Sequence, residues 1–368
     1  MSNRFERFWG YGVATIYDVA RAAGVAPSTV SRHINGHSVR QSEAIERAID
    51  NLVFRANANA RNLRKGNTQV IAMIVPDIQN PYYAATVAGA EQIGRQNGLR
   101  LVLCNTDEDV DLEHLVLSDI IGRVDGAIVV PASERSSTSL FEAPSAIPLV
   151  LMDRETLGGR RFDTVTIENH RGGALAGQHL LDLGHRDVAI ITGPLTASQS
   201  RARETGFLEV FANAGIEVPN RFILRGDFRE SGGYQTAFDI LSDRRRPSAL
   251  FVGNNMMSMG ALRAINDLRL SLPQDLSLVC FDQLPCEGVI SPRLTTIRRP
   301  MEEQGAMAMR LMITRLSAQA DDNHDHEPCT LTLPVELVLG ASTARVWQTR
   351  PTPAEPKDTD HKNTVDQT

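Results

Sequence analysis

The chain has 368 residues, 42% of them apolar, with a formal net charge of −6 and a pI near 5.9, which suits two or three ordinary domains. No apolar run reaches the roughly 18 residues of a membrane span, and the N-terminus carries charge where a secretory leader is apolar, so a cytoplasmic, membrane-free protein is expected. Lysine occurs only at Lys65, Lys357 and Lys362, which excludes Schiff-base and P-loop chemistry from the body; GxxxxGK[ST] and GxSxG are absent, and no GxGxxG opens a helix after the first strand. Neither an enzyme nor a cofactor is expected.

The charge is unevenly placed. Residues 1–66 hold ten basic and five acidic side chains, a head of +5 on a remainder of −11, so the head is the part suited to phosphate. Thr15 and Asp18 have capping-box spacing and open a helix whose buried face is Ile16, Val19, Ala20 and Ala23, closed by Gly24. Pro27 suits the first position of a second helix, with Val30 and Ile34 as its stripe. Ser28, Thr29, Ser31, Arg32 and His33 are left for other faces, which makes the pair a helix-turn-helix. Ile45, Ala48, Ile49 and Leu52 mark a third helix, followed by FRANANARNLRKG at 54–66.

From 70 onward short apolar runs alternate with amphipathic stretches: VIAMIVP, LVLC, GAIVVP, PLVLMD, VAIITG, ALFVGN, SLVCFD and LTLPVELVL. These are the parallel strands of an α/β fold, and eight runs suit two domains of one type. Cys104, Cys280, Cys286 and Cys329 form no CxxC pair and read as buried thiols in a reducing compartment. His179 and His185 flank a helix-ending glycine and read as surface or packing residues; DDNHDHEPC at 321–329 reads as a solvated loop, so no metal is expected. The last residues, 347–368, are polar and proline-bearing, and disorder is expected there; they show no leucine heptad for a tail coiled coil.

The head motif TIYDVARAAGVAPSTVSRHING and the NANARNLR segment resemble the lactose-repressor and galactose-repressor family of bacterial transcription regulators, and DIQNPYY, VLMDRE, RARETGF, FVGNNMMSMGAL and LTTIRRP extend the resemblance over roughly 14–345. Ala26 stands where a capping serine is usual, Ala56 where a hinge proline is usual, and the loop after Gly36 is about three residues short. The resemblance implies an all-α helix-turn-helix head (14–66) with a hinge helix near 56–65. Two Rossmann-like subdomains of periplasmic-binding-protein type would follow: 68–168 with 298–328, and 169–297 with 329–346. Crossovers are expected near 165–169, 292–298 and 329–333. It also implies a homodimer on pseudo-palindromic operator DNA. The DNA contacts would come from Thr15, Tyr17, Pro27, Ser28, Thr29, Ser31, Arg32, Asn35, Asn57, Ala60 and Arg61, and Leu63 would wedge the minor groove.

An effector would lie between the subdomains, at the ends of the strands. Its expected contacts are Asp153, Arg203, Asn254 and Asp282, with Tyr82, Tyr83 and Phe228 as stacking surfaces and Arg154 beside Asp153; Arg201 is the rival to Arg203. Purine-binding relatives have an aromatic residue at the Arg154 position, so a sugar or sugar acid is expected, with a purine or nucleoside as the alternative. A stand-alone small-molecule binding protein would have no use for the basic head.

Overall fold

The computed structural model describes residues 14–34, 36–52, 54, 67–136, 147–157, 161–285, 287–320 and 327–346. The chain divides into two compact units, 1–68 and 69–368.

In the first unit, α1 (Ile16–Ala23), α2 (Pro27–Ile34) and α3 (Ser42–Asn51) enclose a small core of Val19, Ala20, Val30, Ile45 and Ala48. The Thr15–Asp18 capping box forms in both directions, and Gly24 ends α1 at φ 67°, a conformation that a Cβ disfavours. Pro27 is the first residue of α2. Leu52, expected on the third helix, instead follows its last residue and is exposed, whereas Val25, Val39 and Phe54 add to the core. Asn35, Asn57, Ala60, Arg61 and Leu63 lie outside the described residues, as do the expected hinge helix and tail.

The second unit holds two six-stranded sheets of the same design. Strands β1 (Val70–Val75), β2 (Arg100–Asn105), β3 (Gly126–Val129), β4 (Leu149–Met152), β5 (Asp163–Ile167) and β11 (Thr330–Leu333) run parallel in the order β11-β5-β4-β3-β1-β2. Strands β6 (Val188–Thr192), β7 (Ile223–Arg225), β8 (Ala249–Val252), β9 (Ser277–Phe281), β10 (Thr295–Arg298) and β12 (Glu336–Val338) repeat it as β12-β10-β9-β8-β6-β7, with β12 antiparallel to β10. Strands buried on both faces read as continuous apolar runs, which is why VIAMIV and VAIIT stand out in the sequence.

Alternate residues of the first sheet face opposite cores. Ile71, Met73 and Val75 meet α4 (Pro81–Gln96) and α10 (Met301–Ala320), while Ala72 and Ile74 meet α5 (Val110–Ile120). The second sheet is covered by α6 (Asn169–Asp182), α7 (Ser198–Asn213), α8 (Glu230–Leu241) and α9 (Asn255–Asp267).

Two subdomain boundaries differ from expectation. Arg298 belongs to β10 in the second sheet, so the second crossing follows it. The run LTLPVELVL splits at Pro334: its first half, β11, joins the first sheet and only its second half, β12, joins the second, so 329–346 does not belong wholly to the C-terminal subdomain. Proline has no amide for a ladder, which is a physical reason for the break.

His185 is fully buried, with its ring nitrogens on Ser248, Ser277 and the Ala344 carbonyl, and His179 meets Thr343: both are packing residues. Among the described residues no cluster of metal-ligating side chains occurs, and no helix is long and apolar enough to cross a membrane.

Candidate functional site

The C-terminal ends of the strands of both sheets converge on one cleft. Residues after β1 supply Asp77, Asn80, Tyr82 and Tyr83, β2 leads to Glu108, and β4 ends at Asp153 and Arg154. From the second sheet come Gln199 and Arg203 on α7, Phe228 after β7, Asn254 after β8, Asp282 after β9 and Arg299 after β10. All eight side chains picked from the sequence, Tyr82, Tyr83, Asp153, Arg154, Arg203, Phe228, Asn254 and Asp282, therefore line the same cavity. Arg201 does not line it; it bonds Glu134 and the Leu195 carbonyl at the surface.

The backbone holds several of these residues in an unusual conformation. Glu108 (φ 61°), Asp153 (φ 66°), Phe228 (φ 66°) and Asp282 (φ 71°) have left-handed φ although none is glycine. Such residues cost of the order of 1–3 kcal/mol each and gather where a site needs a side chain aimed. Asp153 and Asp282 occupy equivalent places, one past the central strand of each sheet, so the repeated design presents two carboxylates to the same space.

Between them lies Arg299, absent from the residues picked from the sequence. Its Nη1 donates to Asp153 Oδ1 at 2.5 Å, its Nη2 to Asp282 Oδ2 at 2.9 Å, and its guanidinium lies 3.4 Å from the centre of the Tyr82 ring. Burial works against ionising Asp153, but Arg299, then Arg203 and Arg154, outweigh it and hold the carboxyl below its usual range. Arg154 is fixed just as firmly: its two terminal nitrogens donate to the two Glu108 oxygens at 2.6 and 2.7 Å, and it also reaches the carbonyls of Pro131 and Ala132. Its guanidinium carbon lies 5.0 Å from the centre of the Phe228 ring. Glu108 thus neutralises the Arg154 cation.

Arg203 differs. It sits five residues into α7, which starts earlier than its RARETGF motif suggests. Its Nε bonds Asn169 Oδ1 at 2.9 Å and its Nη1 the Gly253 carbonyl at 2.6 Å, while Nη2 is buried with no hydrogen-bond partner among the described residues. Burial, then repulsion from Arg299, lowers its pKa to about 10. Asn254 caps α9 by accepting from the Met257 amide and donates to the Phe228 carbonyl, and Asn255 donates to Asn80 across the cleft. Asn255 closes that corner without a carboxylate.

The head offers a second surface. Ser28 and Arg32 lie one turn apart on the side of α2 away from buried Val30, and both are exposed. Tyr17 is 66% exposed, Pro27, Thr29 and Ser31 are half-buried, and Thr15 is occupied by its bonds to Asp18.

Residues 15–57 match the model for bacterial regulatory proteins of the lacI family, and residues 178–343 match that for a periplasmic binding protein-like domain. The HTH-type transcriptional repressor PurR of Serratia proteamaculans (strain 568) is 34% identical over 316 residues, 84% of this chain and 93% of that protein. The chain belongs to the lacI family. It is a DNA-binding transcriptional repressor with an effector-binding domain, and its relatives are regulators rather than enzymes. Among solved structures, the lac repressor dimer bound to operator and the anti-inducer ONPF is 25% identical with a TM-score of 0.76, covering 90% of this chain and 100% of that one. The transcriptional regulator CelR in complex with cellobiose is 28% identical with a TM-score of 0.67, covering 89% and 99%.

Proposed function

We propose that this repressor is cytoplasmic, works as a homodimer on a pseudo-palindromic operator, and is controlled by a carbohydrate, a sugar or sugar acid, held in the cleft by Asp153, Arg203, Asn254 and Asp282 with Tyr82, Tyr83, Arg154 and Phe228 around it. The observation that carries the carbohydrate reading is the ionised, hydrogen-bonded lining from both sheets, in which Arg154 lies near the Phe228 ring and is itself locked to Glu108. Such a lining matches hydroxyl groups, which donate and accept, better than a flat base that needs aromatic faces. Cellobiose in the CelR complex is in keeping with it. A purine remains the second reading, because relatives at 34% identity are named PurR and Tyr82 and Tyr83 supply aromatic surface. Thermal shift with sugars, sugar acids, nucleosides and purine bases tests the choice; stabilisation by hypoxanthine or guanine, and by no carbohydrate, overturns it.

On DNA, Arg32 reads a base in the major groove, with Pro27 and Ser28 touching base edges beside it. Thr15, Tyr17, Thr29, Ser31 and Asn35 position the backbone, and Asn57, Ala60, Arg61 and Leu63 engage the minor groove. Arg32→Ala is expected to weaken binding by about 1–3 kcal/mol and relax one operator position in a selection experiment. Equal weakening on every sequence reduces Arg32 to a phosphate contact.

A further inference from the structure

Three guanidiniums are buried in the cleft, and four carboxylates line it with them, but the pairing is uneven: Asp77 accepts from the Gln79 amide. Glu108 takes Arg154 with both oxygens. Asp153 and Asp282 both go to Arg299, which is also 2.7 Å from Asp282 through its Nε. Arg203 meets no carboxylate among the described residues: its partners are two carbonyl-type oxygens, one face lies 3.5 Å from the centre of the Phe281 ring, and Nη2 is left open. A buried guanidinium nitrogen without an acceptor is an expensive arrangement unless a ligand supplies one. The other open groups of the cleft are of both kinds: Arg154 Nε and Arg299 Nε are donors, Gln199 Oε1 and Asp282 Oδ1 acceptors, each without a hydrogen-bond partner among the described residues, which suits a ligand that carries hydroxyl groups as well.

We infer that the effector is an anionic carbohydrate whose acidic group, a carboxylate or a phosphate, lands on Arg203, and that Arg299 is the specificity-determining residue that makes the cleft select for it. This rests on the carbohydrate reading above. Arg299 acts by occupancy. With one oxygen of each aspartate taken by Arg299 and the charge of both offset by it, a neutral sugar keeps only the remaining carboxylate oxygens as acceptors, while a ligand that brings its own anion satisfies the Arg203 donor that the protein leaves open. Without Arg299, two buried carboxylates would be free to accept from hydroxyls and would repel an anion.

The test uses the full-length protein and matched neutral and acidic probes: glucose with gluconate, glucuronate and glucose 6-phosphate, and galactose with galactonate, galacturonate and galactose 6-phosphate. Calorimetry on the wild-type protein is expected to show at least one acid bound about tenfold or more tighter than its neutral parent, as for one charge-assisted hydrogen bond. The carboxylate and phosphate arms identify the acidic group. Arg299→Gln is expected to bring that ratio towards one or below, and Arg299→Lys to keep it above one. A neutral sugar bound as tightly as its acid by the wild-type protein, or no response to any acid, overturns the inference; a ratio unchanged in Arg299→Gln removes Arg299 from it. Binding of neutral sugars leaves the carbohydrate reading standing, whereas binding of purines alone ends that reading as well. Should Arg299→Gln not fold, the Asp153→Asn/Arg299→Gln protein carries the same comparison with one buried carboxylate fewer.

Discussion

At the scale of single residues, the cleft stakes stability on one guanidinium. Removing one partner of a buried pair leaves the other charge without compensation and typically costs about 3–5 kcal/mol. Arg299→Met strands both Asp153 and Asp282, which are 3% and 0% exposed, so a loss of that order is expected by chemical denaturation. Asp153→Asn leaves Arg299 with Asp282 and is expected to cost less, about 1–3 kcal/mol. The double variant should cost less than the sum of the two, because the charges removed compensated each other. The pH dependence has a defined sign. Asp153 is held below its ordinary value of 3.8, so its contribution is complete above that value and is lost as the pH falls through the lowered pKa; the Asp153→Asn protein should lose less stability over that acid window. Asp153 and Asp282 were legible in the sequence because each is an acid ending an apolar run. Arg299 is not legible in this way, although it lies in LTTIRRP: β10 is rich in threonine, so nothing local marks its end as the end of a buried strand.

At the scale of elements, α6 and α7 approach closely enough that glycine is required on both. A Cβ on Gly173 of α6 would overlap the backbone carbonyl of Arg203, and one on Gly206 of α7 would overlap that of His170. The contact therefore sets the position of the helix that carries the cleft's open guanidinium. Gly173→Ala is expected to push α7 outward, at about 1–3 kcal/mol of stability. It should also weaken the effector's effect on operator binding by about tenfold, the worth of one hydrogen bond to a charged group. Denaturation and gel shifts with and without effector check the two effects, and a variant that loses stability but keeps its response would separate α7 placement from binding. The sequence showed β1, β2, β3, β4, β6, β8 and β9 through continuous apolar runs. It hid β5 and β10, where DTVTI and TTIR bury threonines in place of aliphatic side chains, and β7, which is three residues long. It also merged β11 and β12 into one run, since the separation of two strands into two sheets is a tertiary fact with only Pro334 to mark it.

At the scale of the whole molecule, the question is how two heads come to act together. The first sheet ends at β2, an edge strand with apolar residues that the described residues leave uncovered: Val102 and Leu103 are each 46% exposed, and Leu115 on α5, the next helix in the chain, is 59% exposed. Successive residues of a strand point to opposite faces, so exposure of both Val102 and Leu103 means that neither face is covered there. Natural proteins rarely leave an apolar edge open, because it invites uncontrolled pairing. A second copy of this chain is the proposed cover, in line with the dimeric state of the lac repressor structure. Val102→Lys with Leu115→Glu should then yield a monomer in sedimentation, with the core unchanged because both side chains already face outward. The effect on DNA follows from linkage: two joined heads gain a factor of about 10²–10⁴ over a single head when both half-sites are in reach. The monomeric variant should lose that factor on a full pseudo-palindrome and bind a single half-site as the wild type does. Persistence of the dimer in this variant would move the interface elsewhere on the larger unit, and equal loss on full and half-sites would show that the substitutions had damaged the fold.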